Sequence, residues 1–234
     1  PARIPEKHSE TAFMTNRAIE FIKDSNNKPW FLHLSYIKPH WPYIAPAPYH
    51  NMFSSNQFYP AHRTDLEKEI NHPVYKAFME NKISKTFSRD EVRNTVLAGY
   101  MGLIKQIDDN LGKLFKFLEE TKSMEDTMII FTSDHGDYHG DHWLGEKELF
   151  HEQIVRVPMI IYDPSSSSDK NRGVKEKRFV EAIDLLPTFL DAVESKASKH
   201  RLEGHSLMPI LRGEKISKWR ESVFSEIDYS FNEA

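Results

Sequence analysis

The chain has 234 residues, a formal net charge of −4 and no cysteine. This length is enough for one sizeable domain with its own core, and the apolar and aromatic content is typical of a globular protein. The absence of cysteine excludes disulfide bonds, and the net charge with both signs interspersed argues against the basic patch that nucleic-acid binding requires. No segment approaches the roughly 18 consecutive apolar residues of a membrane span.

The first predicted elements are a helix and a strand. Apolar residues recur at helical spacing over residues 11–23, and the Asn-Asn-Lys-Pro sequence at 26–29 ends that pattern. Residues 30–36, Trp-Phe-Leu-His-Leu-Ser-Tyr, show little alternation of apolar and polar side chains, which predicts a central strand covered on both faces. His33 lies inside this strand, and we interpret it as a hydrogen-bonded core histidine rather than as a ligand.

A proline-rich loop follows the predicted strand. It has the sequence Ile-Lys-Pro-His-Trp-Pro-Tyr-Ile-Ala-Pro over residues 37–46, and its prolines restrict the backbone on both sides of His40. A rigid loop at the end of a strand is well suited to aim one side chain at a ligand. The alternative is a surface loop in which the histidine has no function. Lys38, close by, is predicted to be a solvated charge.

Residues 46–87 have no clear periodicity. Aromatic residues are scattered among Pro, Asn and His, with a helix predicted near 73–80. The aromatic side chains either pack this segment onto the sheet or line a substrate entrance, and packing is the favoured interpretation. The sequence leaves open whether His62, Arg63 and His72 face a binding pocket.

A long amphipathic helix is predicted next. Ser88 and Glu91 have the spacing of a capping box, and apolar residues then keep one face of a helix to about Lys122. Asp108 and Asp109 are adjacent in this helix, where a solvated or capping role is favoured over metal binding.

The densest group of chemically active residues follows a short apolar run. The run Met-Ile-Ile-Phe at 128–131 predicts a buried strand, which we assign to residues 127–132. Residues 134–147 then contain three Asp, three His, three Gly and one Lys. Ligands bind at strand ends in open α/β sheets, carboxylate and imidazole groups together hold divalent cations, and Lys147 supplies a positive charge for an anionic substrate. The alternative is a solvated turn.

The last third of the chain alternates strands and helices. A strand is predicted over 159–162, a flexible polar loop over 163–173, a helix capped by Asp184 over 185–193, and a final strand over 223–227. Together with the earlier elements, this alternation predicts an α/β fold with a mostly parallel central sheet flanked by helices.

The loop after the central strand resembles that of a known family. The sequence Thr-Ser-Asp-His-Gly-Asp at 132–137, followed by Gly-Asp-His at 140–142 and by Lys147, resembles the metal-binding loop of the sulfatases in the alkaline phosphatase superfamily. The longer sequences over 140–152 and 157–164 resemble the branch of phosphonate monoester hydrolases and arylsulfatases. The resemblance covers nearly the whole chain and implies the same α/β fold, in an incomplete form.

The resemblance implies a role for four residues. Asp134 and His135 would bind one divalent metal ion, while Lys147 and His40 would bind the substrate and act in catalysis by neutralising the charge on its oxygen atoms. Mn²⁺ or Ca²⁺ is expected ahead of Mg²⁺ or Zn²⁺. His135 stands where many sulfatases have Asn, and it favours Mn²⁺ because imidazole is a softer donor.

In sulfatases the nucleophile is a formylglycine made from Cys or Ser in a Cys/Ser-x-Pro-x-Arg motif near the N-terminus. The sequence contains neither that motif nor an early strand that ends in paired acidic metal ligands. We therefore expect residues 1–234 to form the C-terminal part of one sulfatase-like hydrolase domain, with the formylglycine in a missing N-terminal part. The end of the chain at 231–234 fits this expectation, and we expect little or no hydrolysis by this chain alone.

The predicted function is metal-dependent hydrolysis of sulfate esters or of phosphonate and phosphate mono- and diesters. Two alternatives stay open: a catalytically inactive, sulfatase-like binding module, and a phosphodiesterase or mutase of the same superfamily with a Ser or Thr nucleophile. The expected partner is a small anionic ester, with no nucleic acid and no membrane. The sequence does not decide the ester, the leaving group, the compartment or the oligomeric state, for which a homo-oligomer is one option.

Overall fold

The computed structural model describes residues 2–26 and 28–227, so the expectation for residues 231–234 lies outside the described residues. The helices and strands are α1 (Glu10–Asp24), α2 (Pro73–Glu80), α3 (Lys82–Phe87), α4 (Asp90–Glu120), β1 (Ile129–Thr132), α5 (Glu152–Val155), β2 (Met159–Tyr162), α6 (Leu185–Ala192) and α7 (Met208–Leu211). Short 3₁₀ helices lie at Glu6–His8, Tyr49–Asn51, Asp65–Glu69, Ser123–Glu125, Asp141–Trp143, Ser166–Asn171, Ala182–Asp184 and Lys199–Arg201. None of the described helices combines the length and the apolar composition that crossing a membrane requires.

The chain folds into two compact units. The first unit comprises residues 1–124 and 135–157, and the second comprises residues 125–134 and 158–234. One boundary between the units falls between Asp134 and His135, so the two predicted metal ligands belong to different units.

Helices α1 and α4 pack against each other in the first unit. Helix α1 begins after Ser9, whose hydroxyl accepts a hydrogen bond from the Ala12 amide (3.2 Å). The same hydroxyl accepts a hydrogen bond from the Gln106 side chain of α4 (2.7 Å). The helices predicted over 11–23 and from residue 88 to about 122 are therefore confirmed, with small differences at their ends. Helix α2 has the predicted bounds.

The start of α4 differs from the prediction. Arg89 occupies the N-cap position, and its side chain makes no hydrogen bond to the helix. Ser88 instead ends α3 with helical backbone angles, and its hydroxyl donates to the Lys85 carbonyl (2.8 Å). The predicted capping box is wrong because a short helix directly precedes α4, whereas an N-cap residue has non-helical, usually extended backbone angles.

Glycines on α4 bring the loop that follows His40 onto the helix. A Cβ atom on Gly99 would lie 2.6 Å from the Tyr43 carbonyl oxygen, and a Cβ atom on Gly102 would collide with the Tyr49 carbonyl oxygen. The backbone of the loop therefore lies directly against α4, which supports it as a rigid platform.

Asp108 and Asp109 both bind a lysine on the same helix. Lys105 Nζ lies 2.8 Å from the first carboxylate and 2.5 Å from the second. Asp109 also accepts a hydrogen bond from the Tyr49 hydroxyl (2.9 Å). Burial and this hydrogen bond raise the pKa of Tyr49 to about 12. Asp109 therefore helps to hold the loop on α4.

The second unit contains the strand pair β1–β2. The strands are antiparallel, with Ile129 opposite Tyr162 at one end of the ladder. The predicted strands over 127–132 and 159–162 are confirmed. The sheet formed by the described residues has two strands, and the predicted mostly parallel central sheet is not observed in it. A strand forms a sheet only with hydrogen-bonded neighbours from elsewhere in the chain, so local sequence does not specify the sheet.

Residues 30–36 form neither a helix nor part of a β-ladder. Their side chains alternate between half-buried and exposed, with Phe31 68% exposed, and His33 lies on the exposed side. The prediction of a central strand covered on both faces, with His33 in the core, is therefore wrong. Apolar composition indicates how well a strand suits the interior of a sheet, but it does not supply the neighbouring strands.

Two further segments of the second unit differ from the prediction. Residues 223–227 do not form a strand, and Phe224 is 87% exposed. The segment 163–173, predicted to be flexible, contains a 3₁₀ helix in which the buried Ser168 donates a hydrogen bond to the buried Asp163. Serines near an aspartate form such local hydrogen bonds readily, and this order is not visible in the composition.

Asp184 has a different role from the predicted helix cap. It precedes α6, which confirms the helix predicted over 185–193, but its side chain does not cap that helix. The fully buried carboxylate accepts hydrogen bonds from the Arg220 guanidinium and from the backbone amides of Glu181 (2.8 Å) and His205 (2.7 Å). The predicted cap is wrong because a buried carboxylate is stabilised more by a charged partner than by helix amides.

Candidate active site

Two of the predicted site residues meet in the first unit. Lys147 Nζ lies 3.5 Å from His40 Nε2, although 107 residues separate them in the chain. Both residues are half-buried. The fold thus places an ammonium group beside an imidazole at one point of the surface, an arrangement that suits an anionic ligand.

Lys38 holds the turn that presents His40. Its ammonium donates hydrogen bonds to the carbonyl oxygens of His40 (3.1 Å) and Pro42 (3.0 Å). Lys38 is half-buried and uses its charge on these two carbonyl groups, so the prediction of a solvated charge is wrong. Burial also lowers its pKa. His40 Nδ1 lies 2.9 Å from the Trp41 carbonyl oxygen, to which it donates. In that tautomer, Nε2 carries the lone pair and faces Lys147.

The loop that carries Lys147 has a strained backbone. His139, His142, Trp143 and Glu146 have positive φ angles of 44°, 55°, 62° and 60°. Residues other than glycine rarely adopt positive φ angles, and residues held in this conformation cluster at ligand-binding sites.

Backbone hydrogen bonds and buried side chains hold this loop in place. The Tyr138 amide donates to the Glu146 carbonyl (2.9 Å), and the Gly140 amide donates to the Leu144 carbonyl (2.8 Å). The side chains of Tyr138 and Leu144 are buried in one cluster with Tyr75 of α2. The strain is therefore balanced by packing below the loop.

A strap formed by residues 62–69 lies against the same loop. The backbone amide of His62 donates a hydrogen bond to the Asp141 carboxylate in the loop (2.9 Å). In the other direction, the Trp143 indole donates to the Thr64 carbonyl of the strap (2.7 Å). The Arg63 guanidinium lies 4.2 Å from the centre of the Trp143 ring. Of the three residues whose role was open, His62 and Arg63 hold the loop, whereas His72 lies in an exposed position before α2.

His142 links the strap to the loop. Its Nδ1 lies 2.7 Å from Glu67 Oε1, and its Nε2 lies 3.1 Å from Gln153 Oε1. The side-chain nitrogen of Gln153 donates a hydrogen bond to Asp141 (3.4 Å). This contact leaves the side-chain oxygen of Gln153 facing His142. The His142 ring also stacks on His151, with ring centres 4.1 Å apart. Because both ring nitrogens face acceptors, this arrangement requires an imidazolium.

The groups around His142 have shifted pKa values. Burial lowers the pKa of His151, and the nearby His142 lowers it further. Burial favours neutral Glu67, but hydrogen bonds from the Thr64 amide and from His142 outweigh it, so the Glu67 pKa lies below its ordinary value. The network therefore holds the pKa values of both Glu67 and His151 below their ordinary values.

Two carboxyl groups flank Lys147. The Lys147 backbone amide donates to Glu148 (2.9 Å). Burial raises the pKa of Glu146, and its hydrogen bond to Glu148 raises it further. Two acidic side chains therefore adjoin the lysine that is predicted to bind the substrate.

The predicted metal ligands follow β1. The Ser133 hydroxyl donates to the Asp134 carboxylate (3.3 Å) in the second unit. In the first unit, His135 Nδ1 donates to the Gly136 carbonyl (2.8 Å). This hydrogen bond selects the tautomer with the lone pair on Nε2, which is the usual arrangement of a histidine that binds a metal. The donor types therefore fit a divalent cation.

Across residues 2–26 and 28–227, no group of three or more acidic or imidazole side chains is arranged to hold a metal ion. Divalent cations take four or more ligands. Asp134 and His135 would therefore supply part of a coordination shell, and their assignment as metal ligands stays a prediction.

Sequence analysis did not single out two residues that join the site together. The Tyr43 hydroxyl donates to Asp137 (2.7 Å), which connects the loop of His40 with the loop of Lys147. The available signal was their position, since both lie within a few residues of a predicted site residue. A hydrogen bond between residues 94 positions apart has no local sequence pattern.

The chain is similar in sequence to several known proteins. A family model named Sulfatase matches residues 3–195. The chain is 36% identical to the multifunctional alkaline phosphatase superfamily protein PehA of Trinickia caryophylli, over 98% of the chain and 46% of that protein. It is 30% identical to an arylsulfatase of Clostridium perfringens, over 95% of the chain and 45% of that protein.

Solved structures show the same similarity. The phosphonate monoester hydrolase SpPMH from Silicibacter pomeroyi superposes with a TM-score of 0.83 at 31% identity, over 94% of this chain and 44% of that chain. The phosphonate monoester hydrolase of Agrobacterium radiobacter superposes with a TM-score of 0.85 at 27% identity, over 98% and 48%. The chain spans about half the length of the relatives it matches. These matches confirm the α/β fold class and the resemblance noted in the sequence, and the chain belongs to the sulfatase family.

Proposed function

We propose that this chain supplies the substrate-binding side of the active site of a metal-dependent ester hydrolase. The observation that carries the proposal is the convergence of Lys147 and His40 from positions 107 residues apart. An ammonium and an imidazole at this spacing can both contact the oxygen atoms of one sulfate, phosphonate or phosphate group.

Lys147 and His40 have distinct tasks in this proposal. The ammonium of Lys147 neutralises a non-bridging oxygen as negative charge develops on it, and removing one such contact typically costs about 10²–10³ in rate. His40 donates from Nδ1 to the Trp41 carbonyl, so its Nε2 is the atom that faces the ester, and a proton that Nε2 takes up from the attacking side or from water is the one it passes to the leaving oxygen. Lys38 holds the His40 turn and thereby aims Nε2.

Asp134 and His135 would hold one divalent cation. When bound, such a cation lowers the pKa of a hydroxyl nucleophile and polarises the ester oxygens. Mn²⁺ is the favoured ion because the set contains an imidazole nitrogen, with Ca²⁺ next and Mg²⁺ or Zn²⁺ after it. The nucleophile itself, a formylglycine, is proposed to lie outside these 234 residues. Metal analysis of the full-length protein that finds only Ca²⁺ contradicts the choice of Mn²⁺.

Phosphonate and phosphate esters are the favoured substrates, with sulfate esters as the second candidate. Two solved structures similar to the chain are described as phosphonate monoester hydrolases. The arylsulfatase among the relatives supports the second candidate.

The test is hydrolysis by the full-length protein loaded with Mn²⁺, with p-nitrophenyl phenylphosphonate and p-nitrophenyl sulfate as substrates. We expect Lys147→Ala to lower kcat/KM by about 10²–10³ because it removes charge stabilisation in the transition state. Lys116→Ala is the matched control, since Lys116 is an exposed lysine on α4. Undiminished activity of Lys147→Ala overturns the assignment of Lys147. No hydrolysis of either ester by the wild-type protein overturns the hydrolase and favours a binding module.

A further inference from the structure

Tyr43 makes one contact through its backbone and another through its side-chain hydroxyl. Its backbone carbonyl lies against Gly99 of α4, where a Cβ atom would be only 2.6 Å away. Its hydroxyl donates a hydrogen bond to Asp137 Oδ2 (2.7 Å). Tyr43 therefore spans from the α4 platform to the loop that carries Lys147.

Asp137 uses both of its carboxylate oxygens in this contact. Oδ2 accepts the Tyr43 hydroxyl, and Oδ1 accepts the backbone amide of His139 (3.0 Å). His139 has a positive φ of 44°, so this carboxylate stabilises a strained turn as well as the link between the loops.

The ring of His139 completes the junction. It is 7% exposed, and its centre lies 4.3 Å from the Tyr100 ring and 5.4 Å from the Tyr43 ring. The Arg93 guanidinium donates to the His139 carbonyl (2.9 Å). Burial raises the pKa of Tyr43 and the nearby Asp137 raises it further, so the phenol stays protonated and keeps donating.

The hydrogen bond between Tyr43 and Asp137 connects the two segments that carry His40 and Lys147. Tyr43 follows His40 by three residues, and Asp137 lies in the loop that leads to Lys147. The Lys38 hydrogen bonds shape the His40 turn from within, whereas the Tyr43 hydroxyl ties that turn to the opposite loop. A misplacement of about 1 Å is enough to cost about 10² in rate at a catalytic site.

We propose that Tyr43 is a positioning residue that sets the distance between His40 Nε2 and Lys147 Nζ through its hydrogen bond to Asp137. The effect on hydrolysis rests on the proposed function, whereas the effect on the distance does not. Tyr43 does not contact the substrate in this proposal, so it acts through His40.

The test compares three variants of the chain labelled with ¹⁵N-histidine. Lys147→Met defines the Nε2 chemical shift of His40 without its neighbour. Tyr43→Phe removes the hydroxyl but keeps the ring, and we expect its His40 Nε2 signal to move more than halfway to the Lys147→Met value. Tyr100→Phe is the matched control: Tyr100 belongs to the same ring cluster, and the described residues include no hydrogen-bond partner for its hydroxyl. Its His40 signal should stay at the wild-type value.

Asp137→Asn provides a fourth variant, because its single amide oxygen can accept either the Tyr43 hydroxyl or the His139 amide but not both. We expect an intermediate His40 shift from it. A wild-type His40 spectrum in folded Tyr43→Phe overturns the proposal, as does an equal shift in Tyr100→Phe. In the full-length protein, Tyr43→Phe should lower kcat about 10–100-fold with KM nearly unchanged. Inactive wild-type protein overturns the proposed function alone, because the spectra still decide the positioning role.

Discussion

The charge of His142 follows from the two oxygen atoms beside its ring. Glu67 faces Nδ1 at 2.7 Å and Gln153 faces Nε2 at 3.1 Å, so both nitrogens must donate. Burial and the adjacent His142 both lower the pKa of the stacked His151. Their two rings thus lie face to face with ring centres 4.1 Å apart.

Glu67→Gln tests this assignment. Without the carboxylate, His142 should lose the proton on one nitrogen, and the free energy of unfolding should fall by about 1–2 kcal/mol. Glu69→Gln is the control, since Glu69 lies exposed in the same 3₁₀ helix. The measurements are ¹⁵N-histidine spectra at pH 7 and urea unfolding. A doubly protonated His142 in Glu67→Gln contradicts the assignment.

The pH dependence of this contact has a definite sign. The Glu67 pKa is lower in the folded state than in the unfolded state. Its contribution to stability is therefore complete above the unfolded pKa, near 4.3, and is lost as the pH falls through the lower folded value. The difference in unfolding free energy between wild type and Glu67→Gln should shrink correspondingly in acid.

At the scale of elements, α4 acts as a platform because two of its glycines face carbonyl groups of the adjacent loop. A third glycine, Gly112, lies on the same helix with nothing within 4 Å of a Cβ position. Gly99 and Gly102 therefore allow the loop to pack closely on α4, whereas Gly112 makes no such contact.

Substitutions by alanine separate the two roles. Gly112→Ala should stabilise the protein by up to about 1 kcal/mol because alanine favours the helix. Gly102→Ala gains the same propensity, but its Cβ collides with the Tyr49 carbonyl, so we expect a net loss of about 1–3 kcal/mol. Urea unfolding of the two variants measures the difference. Equal stabilisation by both substitutions would show that the loop does not rest on α4.

Secondary structure was predicted well where it depends on near neighbours. The helical stripe over 11–23 corresponds to α1, because helix hydrogen bonds join residues four positions apart. The segments 30–36 and 223–227 have the composition of strands but form no ladder in the described part of the chain. Strand pairing depends on distant residues, so composition alone does not decide it.

At the scale of the whole molecule, each unit is held by its own polar contacts. In the second unit, the buried Asp184 joins the start of α6 to Arg220, 36 residues later. Burial alone would raise the pKa of Asp184, but hydrogen bonds from Arg220 and from two backbone amides outweigh it, and the pKa lies below its ordinary value. A buried carboxylate without such partners is strongly destabilising.

Asp184→Asn should destabilise the second unit by about 3–5 kcal/mol, because it leaves the Arg220 charge without its partner. The wild-type contribution is present above the unfolded pKa, near 3.9, and is lost as the pH falls through the lower folded pKa. Asp169→Asn is the control, since it removes an exposed pair with Arg172 that is worth at most about 1 kcal/mol. Thermal unfolding between pH 3 and pH 7 measures both, and equal effects of the two substitutions would contradict the argument.

The sequence by itself determined the four longer helices, α1, α2, α4 and α6, and the candidates for the site. Periodicity marked α1 and α4, and the density of Asp, His and Lys residues after β1 marked the loop, because these patterns arise between residues close in the chain. His40 stood out through the prolines around it, and the family resemblance then supplied the expected roles of the four site residues.

The tertiary structure alone decided which of these residues meet. It placed Lys147 beside His40 and joined Tyr43 to Asp137 by a hydrogen bond. It also paired the Asp184 carboxylate with Arg220 rather than with the amides at the start of α6. These contacts connect residues 107, 94 and 36 positions apart. At such separations no backbone periodicity relates the partners, and their proximity results from the packing of whole elements against one another.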